Sequence, residues 1–70
     1  MTSSQSFAIH TIDTWFIRSG MEYRGAFRAR FGDQVVYEDD GTNARPFASA
    51  AGALADADQR GADWNAAQAR

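Results

Sequence analysis

Between residues 22 and 31 the chain alternates with a period of two. Tyr23, Gly25, Phe27, Ala29 and Phe31 fall on one side, and Glu22, Arg24, Ala26, Arg28 and Arg30 on the other. That spacing predicts a strand with one buried face. Residues 7–19 are rich in Ile, Thr, Phe and Trp, which favours a preceding strand, and Ser19-Gly20 supplies the turn between the two. Gly32-Asp33 marks a second turn, residues 34–38 a third strand, and Asp39-Asp40-Gly41-Thr42-Asn43 a loop. Pro46 limits any strand at residues 44–47 to an edge stub. From Ser49 the pattern becomes helical. Ser49 is a suitable N-cap, and Ala50, Ala53, Leu54 and Ala57 form an apolar stripe over residues 50–60. Gly61 stands where a left-handed residue ends a helix, with Arg60 beside the negative end of the dipole. Residues 62–70 then read as a short second helix or a frayed tail, and residues 1–6 as a flexible tail. The prediction is a single α+β domain over residues 7–61: a three-stranded antiparallel β-meander with one helix packed on one face (βββα).

With Ser19-Gly20 as a two-residue loop, Phe16 opposes Tyr23, Ile12 opposes Phe27 and Ala8 opposes Phe31. This gathers Ile12, Phe16, Tyr23, Phe27 and Phe31 on the helix side. A three-residue second loop, Gly32-Asp33-Gln34, adds Val35 and Tyr37 to that side and sets Glu38 opposite Arg28; a two-residue loop moves Val35 and Tyr37 across. The reverse face then carries Phe7, Ile9, Asp13, Trp15 and Ile17 from the first strand. The second strand adds Glu22, Arg24, Arg28 and Arg30, and the third adds Val36 and Glu38. Trp15 lies opposite Arg24, a cation–π geometry. One helix covers one face, so this second, partly apolar face is expected to meet the C-terminal segment or another chain.

Composition narrows the chemistry. Seventy residues make one domain at most. No cysteine is present, which excludes disulfides, thiolate metal sites and cysteine nucleophiles. Large aliphatic residues are few against 14 Ala and nine aromatics, so the rings are expected to supply most of the buried area. The net charge of −2, with seven Arg and no Lys, argues against nucleic-acid or membrane binding driven by total charge. No signal peptide or membrane span is expected, and a cytoplasmic location follows as the default.

No catalytic machinery is expected. His10, the single histidine, falls on the core side, where only positions distant in sequence could supply the nucleophile and orienting carboxylate that a catalytic role needs. Glu38-Asp39-Asp40 lacks the alternating spacing of a calcium loop and reads as a solvated turn. Asp56 and Asp58 diverge by about 200° on a helix and cannot act as a pair. No cofactor or metal is expected. The candidate site is Trp15, Arg24, Arg28 and Arg30 on the reverse face, with Asp39 and Asp40 in the acidic turn. Trp and Arg dominate protein hot spots, and a sheet bearing arginines and a ring also suits single-stranded nucleic acid. The plain alternative is a half-exposed face whose charges Asp13, Glu22 and Glu38 balance.

Arg45-Pro46-Phe47-Ala48-Ser49 leads into Ala53 and Ala57, and Gly25-Ala26-Phe27-Arg28-Ala29-Arg30-Phe31 is a basic second strand. Over residues 22–57 this resembles the arm-type DNA-binding modules of phage integrases. The resemblance implies a three-stranded sheet that reads a DNA groove. Those modules are Lys/Arg-rich, whereas this chain has Glu38-Asp39-Asp40 where basic residues are usual. By type rather than by motif, a small acidic domain is also similar to phage accessory proteins that block host complexes, as anti-CRISPR proteins do. The expected function is non-catalytic binding of a protein, as an inhibitor or adaptor of a nucleic-acid-handling complex. Nucleic-acid binding through the same arginines is the alternative, and a homodimer burying the reverse face is a third arrangement.

Overall fold

A computed structural model describes residues 10–68. The tail expected at residues 1–6 and the first part of the expected strand, including Phe7, Ala8 and Ile9, lie outside the described residues. Strands β1 (Thr11–Ser19), β2 (Glu22–Phe31) and β3 (Gln34–Asp39) form an antiparallel sheet in the order β1-β2-β3, followed by helix α1 (Ala50–Gln68). This is the expected α+β meander with one helix. Each hairpin turns through two residues, and Gly20 (φ 63°) and Gly32 (φ 64°) take the positive φ that tight hairpin turns require.

The first hairpin pairs Ser19 with Glu22, so its turn is Gly20-Met21 rather than Ser19-Gly20. The register is displaced by two residues, and Ile12 faces Ala29, Phe16 faces Gly25 and Trp15 faces Ala26. A displacement of two preserves the pleat, so the expected division into faces survives. The second hairpin corrects the three-residue loop. Phe31 pairs with Gln34 and Arg30 with Val35; the register then slips by one, and Ala29 pairs with Tyr37 and Arg28 with Glu38. Val36 is the extra residue of a β-bulge. The bulge puts Val35 on the reverse face and leaves Tyr37 on the helix side.

Helix α1 starts as expected, with the Gly52 N–H donating to Ser49 Oγ at 3.1 Å. It does not stop at Gly61. It runs unbroken to Gln68, which corrects both the expected terminator and the second short helix. Gly61 is instead a point of close packing. A methyl group there would lie 2.6 Å from Ile12 Cγ2 and 3.4 Å from Phe27 Cδ2. Ala53, Ala57 and Gly61, four residues apart, make the buried stripe of the helix. The core is therefore built of small residues around one buried ring: Ala26, Phe27, Ala29, Ala53 and Ala57. On the helix side two further ring groups sit toward the ends of the sheet. Phe16 packs edge-on to Tyr23 at one end, and Tyr37 stacks on Trp64 at the other with 5.2 Å between centroids. His10 joins the second group, 5.1 Å from the Trp64 ring, with its Nδ1 3.0 Å from Asn65 Oδ1.

Tyr23 and Phe47 exchange two backbone hydrogen bonds, at 2.9 and 2.8 Å. This single bridge is the edge stub anticipated before the helix. It also closes residues 40–46 into a loop that projects over the reverse side of the sheet.

Candidate binding face of the sheet

Helix α1 lies on the side of Ile12, Gly25 and Phe27. Residues of opposite parity line the reverse face, where β1 contributes Asp13, Trp15 and Ile17, β2 contributes Arg24, Ala26, Arg28 and Arg30, and β3 contributes Val35 and Glu38. Part of this face is covered by the chain itself, by the loop rather than by helix α1, which stays on the opposite side as far as Gln68. A methyl group at Gly41 would sit 3.4 Å from Ala26 Cβ and from Ile17 Cδ1. Gly41 has φ 87° and is buried. Arg24 holds the loop down, donating from Nε to the Ala44 carbonyl at 3.0 Å and pairing with Glu22 at 3.4 Å.

Beyond this cover Asp13 organises the face. Its carboxylate accepts from Arg30 Nε at 2.6 Å and Arg30 Nη2 at 3.3 Å, and from Arg28 Nε at 3.4 Å. The hydrogen bonds from Arg30, and then the charges of both arginines, hold Asp13 below the usual carboxylate range; the same contact raises Arg30. Arg28 lies with its guanidinium 5.3 Å from the centroid of the Trp15 ring. Arg24 was the expected partner of that ring. The two-residue displacement puts Ala26 across from Trp15 and Arg28 on the diagonal, within reach of a long side chain.

The six candidate residues therefore divide. Trp15, Arg28 and Arg30 form one connected group around Asp13, a residue whose organising role the alternation alone did not reveal. Arg24 fastens the loop. Asp40 is exposed and accepts from the Thr42 N–H at 2.9 Å, a contact that lowers its pKa. Asp39 turns to the helix side and pairs with Arg60, which also binds Asp56 at 2.8 Å and donates to the Gly25 carbonyl. Arg60 is thus an internal tie between helix and sheet rather than a residue at a helix end. The clue available in sequence was its spacing from Asp56, four residues back on the same helix face.

A stability change with pH follows. Asp13 has a lowered pKa in the folded state. Its stabilising contribution is complete above the unfolded carboxylate value and is lost as pH falls through the folded one. Asp40 acts in the same direction. Unfolding midpoints in urea are expected to fall below about pH 4. In Asp13→Asn that acid-dependent drop should be smaller, while stability at pH 7 is reduced. An Asp13→Asn profile parallel to wild type would place the titration elsewhere.

Among the described residues no group of three or more His, Cys, Asp and Glu is arranged to hold a metal ion, and no helix is long and apolar enough to cross a membrane. The face presents an aromatic ring and two guanidinium groups held by one carboxylate. Comparison with protein-family models, with curated proteins and with solved structures gives no match.

Proposed function

We propose that the chain is a non-catalytic protein-binding module that uses the reverse face of its sheet. The observation that carries this reading is the Trp15–Arg28 pair, anchored by Asp13, on the face that the helix leaves open. A fixed aromatic–guanidinium pair loses little side-chain entropy on binding and matches the composition of protein hot spots. The charge balance favours a protein over a nucleic acid. Asp13 and Glu38 match Arg28 and Arg30 one for one, so the face offers phosphates little net attraction. Exposed Asp40, in the loop that covers part of the face, supports an inhibitor or adaptor that engages a basic surface of a nucleic-acid-handling complex.

The test is capture of a partner from a host lysate by the full chain, compared with a Trp15→Ala/Arg28→Ala variant. The double variant is expected to lose at least about 2 kcal/mol of binding, a thirtyfold weakening, while its circular dichroism stays that of a folded domain. Undiminished capture by the folded variant overturns the reading. Salt titration against labelled single- and double-stranded oligonucleotides decides the alternative, because phosphate contacts strengthen as salt falls. No binding at low salt is expected.

A further inference from the structure

We infer that the free edge of β1 pairs antiparallel with β1 of a second copy, joining two three-stranded sheets into one of six strands. Ser19 and Glu22 flank a two-residue turn and so form a hydrogen-bonded pair. Alternation then directs the backbone groups of Thr11, Asp13, Trp15, Ile17 and Ser19 toward β2. The N–H and C=O groups of Ile12, Thr14, Phe16 and Arg18 point outward. Among the described residues no strand lies on that side.

The two edges of the sheet differ. β3 has six residues, a bulge at Val36 and an acidic end at Glu38 and Asp39, which are devices that discourage pairing. β1 has nine residues, no Pro, Gly or Lys, and no slip in register. Its two charged side chains are already occupied within the chain: Asp13 holds Arg28 and Arg30, and Arg18 Nε donates to the Gly20 carbonyl at 3.0 Å.

The strand is also complementary to itself. Pairing centred on residue 15 sets Ile12 against the partner's Arg18 and Thr14 against the partner's Phe16, and it brings the two Trp15 residues together on the two-fold axis. This register uses all four outward residues; a slide of two in either direction leaves one unpaired. No like charges meet, since Asp13 faces the partner's Ile17. Phe16 and Ile17, 41% and 37% exposed on opposite faces of β1, each gain a cross-strand neighbour. The pairing runs through the edge and leaves the reverse face open, unlike a dimer that buries that face. It stands whether or not that face binds a protein.

Sedimentation of the full chain from micromolar to millimolar concentration tests it. The mass is expected to rise from 7.7 kDa toward twice that value. The chain has no cysteine, so Trp15→Cys carries a single thiol on the axis, at a separation a disulfide can span. Under mild oxidation it should form a covalent dimer about tenfold faster than Thr11→Cys, whose position faces the partner's Ser19. Thr14→Pro removes an outward N–H and should give a folded monomer. Wild type at 7.7 kDa throughout, equal cross-linking of the two cysteine variants, or a folded Thr14→Pro that remains dimeric overturns the inference. Should Thr14→Pro not fold, the other two arms decide.

Discussion

Gly25→Ala is expected to destabilise the chain by about 3 kcal/mol or more, the largest effect of any single methyl group here. The added Cβ would lie 2.1 Å from the Ala53 carbonyl oxygen and 2.9 Å from Ala57 Cβ. The first neighbour is helix backbone, which has no rotamer to move aside. Relief requires α1 to lift from β2 along the line where Ala53, Ala57 and Gly61 meet the sheet, loosening their contacts together. A domain of this size has a total stability on the order of 5 kcal/mol, so the loss leaves it close to unfolding at room temperature. Urea denaturation of wild type and variant measures it. Gly25→Ala/Ala57→Gly should recover only part of the loss, because the clash with the Ala53 carbonyl remains. A Gly25→Ala variant within about 1 kcal/mol of wild type would mean that the helix does not approach β2 so closely.

Arg60→Ala is expected to cost about 2–3 kcal/mol. One guanidinium joins Asp39 at the end of β3, Asp56 one helical turn back and the Gly25 carbonyl of β2, and lies 5.8 Å from the centroid of the Phe27 ring. Its removal leaves two partly buried carboxylates without their shared cation and a backbone acceptor without its donor. The carboxylates become the larger part of the cost. Arg60→Ala/Asp39→Asn should therefore be more stable than Arg60→Ala alone, measured by urea denaturation at pH 7. If the second substitution brings no recovery, the ties from Arg60 are not what joins the helix to β3.

Much of the fold is legible in the alternation. The limits of β2 follow from its period of two, and the faces of β1 and β2 survive an error of two residues in register because the pleat repeats at that interval. The bulge at Val36 was not legible. The two loop lengths considered for the second hairpin each hold over part of β3, and only the packed sheet shows where one gives way to the other. Gly61 misleads because a glycine after an arginine has the local chemistry of a helix end. Its role is set by Ile12 and Phe27, about fifty and thirty-five residues away. For the same reason Arg60 reads as a dipole partner until β2 and β3 are placed beneath it. At the candidate site, Trp15 and the arginines stand out by residue type. The choice of Arg28 over Arg24 as the partner of Trp15, and the hold of Asp13 on two guanidinium groups, depend on the register. Asp39 and Asp40 are adjacent in sequence and part at the end of a strand, one toward the helix and one toward solvent.

The claim on which the functional reading stands is that one helix covers one face and that the other, beyond the 40–46 loop, stays open. Paramagnetic relaxation of side-chain NMR signals by an inert soluble agent tests it on the free chain at low concentration. The methyl groups of Ala53 and Ala57 and the ring of Phe27 should be spared, while Ile17, Val35 and the Trp15 ring are broadened. Protection of Ile17, Val35 and Trp15 equal to that of Phe27 would show that the chain already covers both faces, and no open binding face would remain.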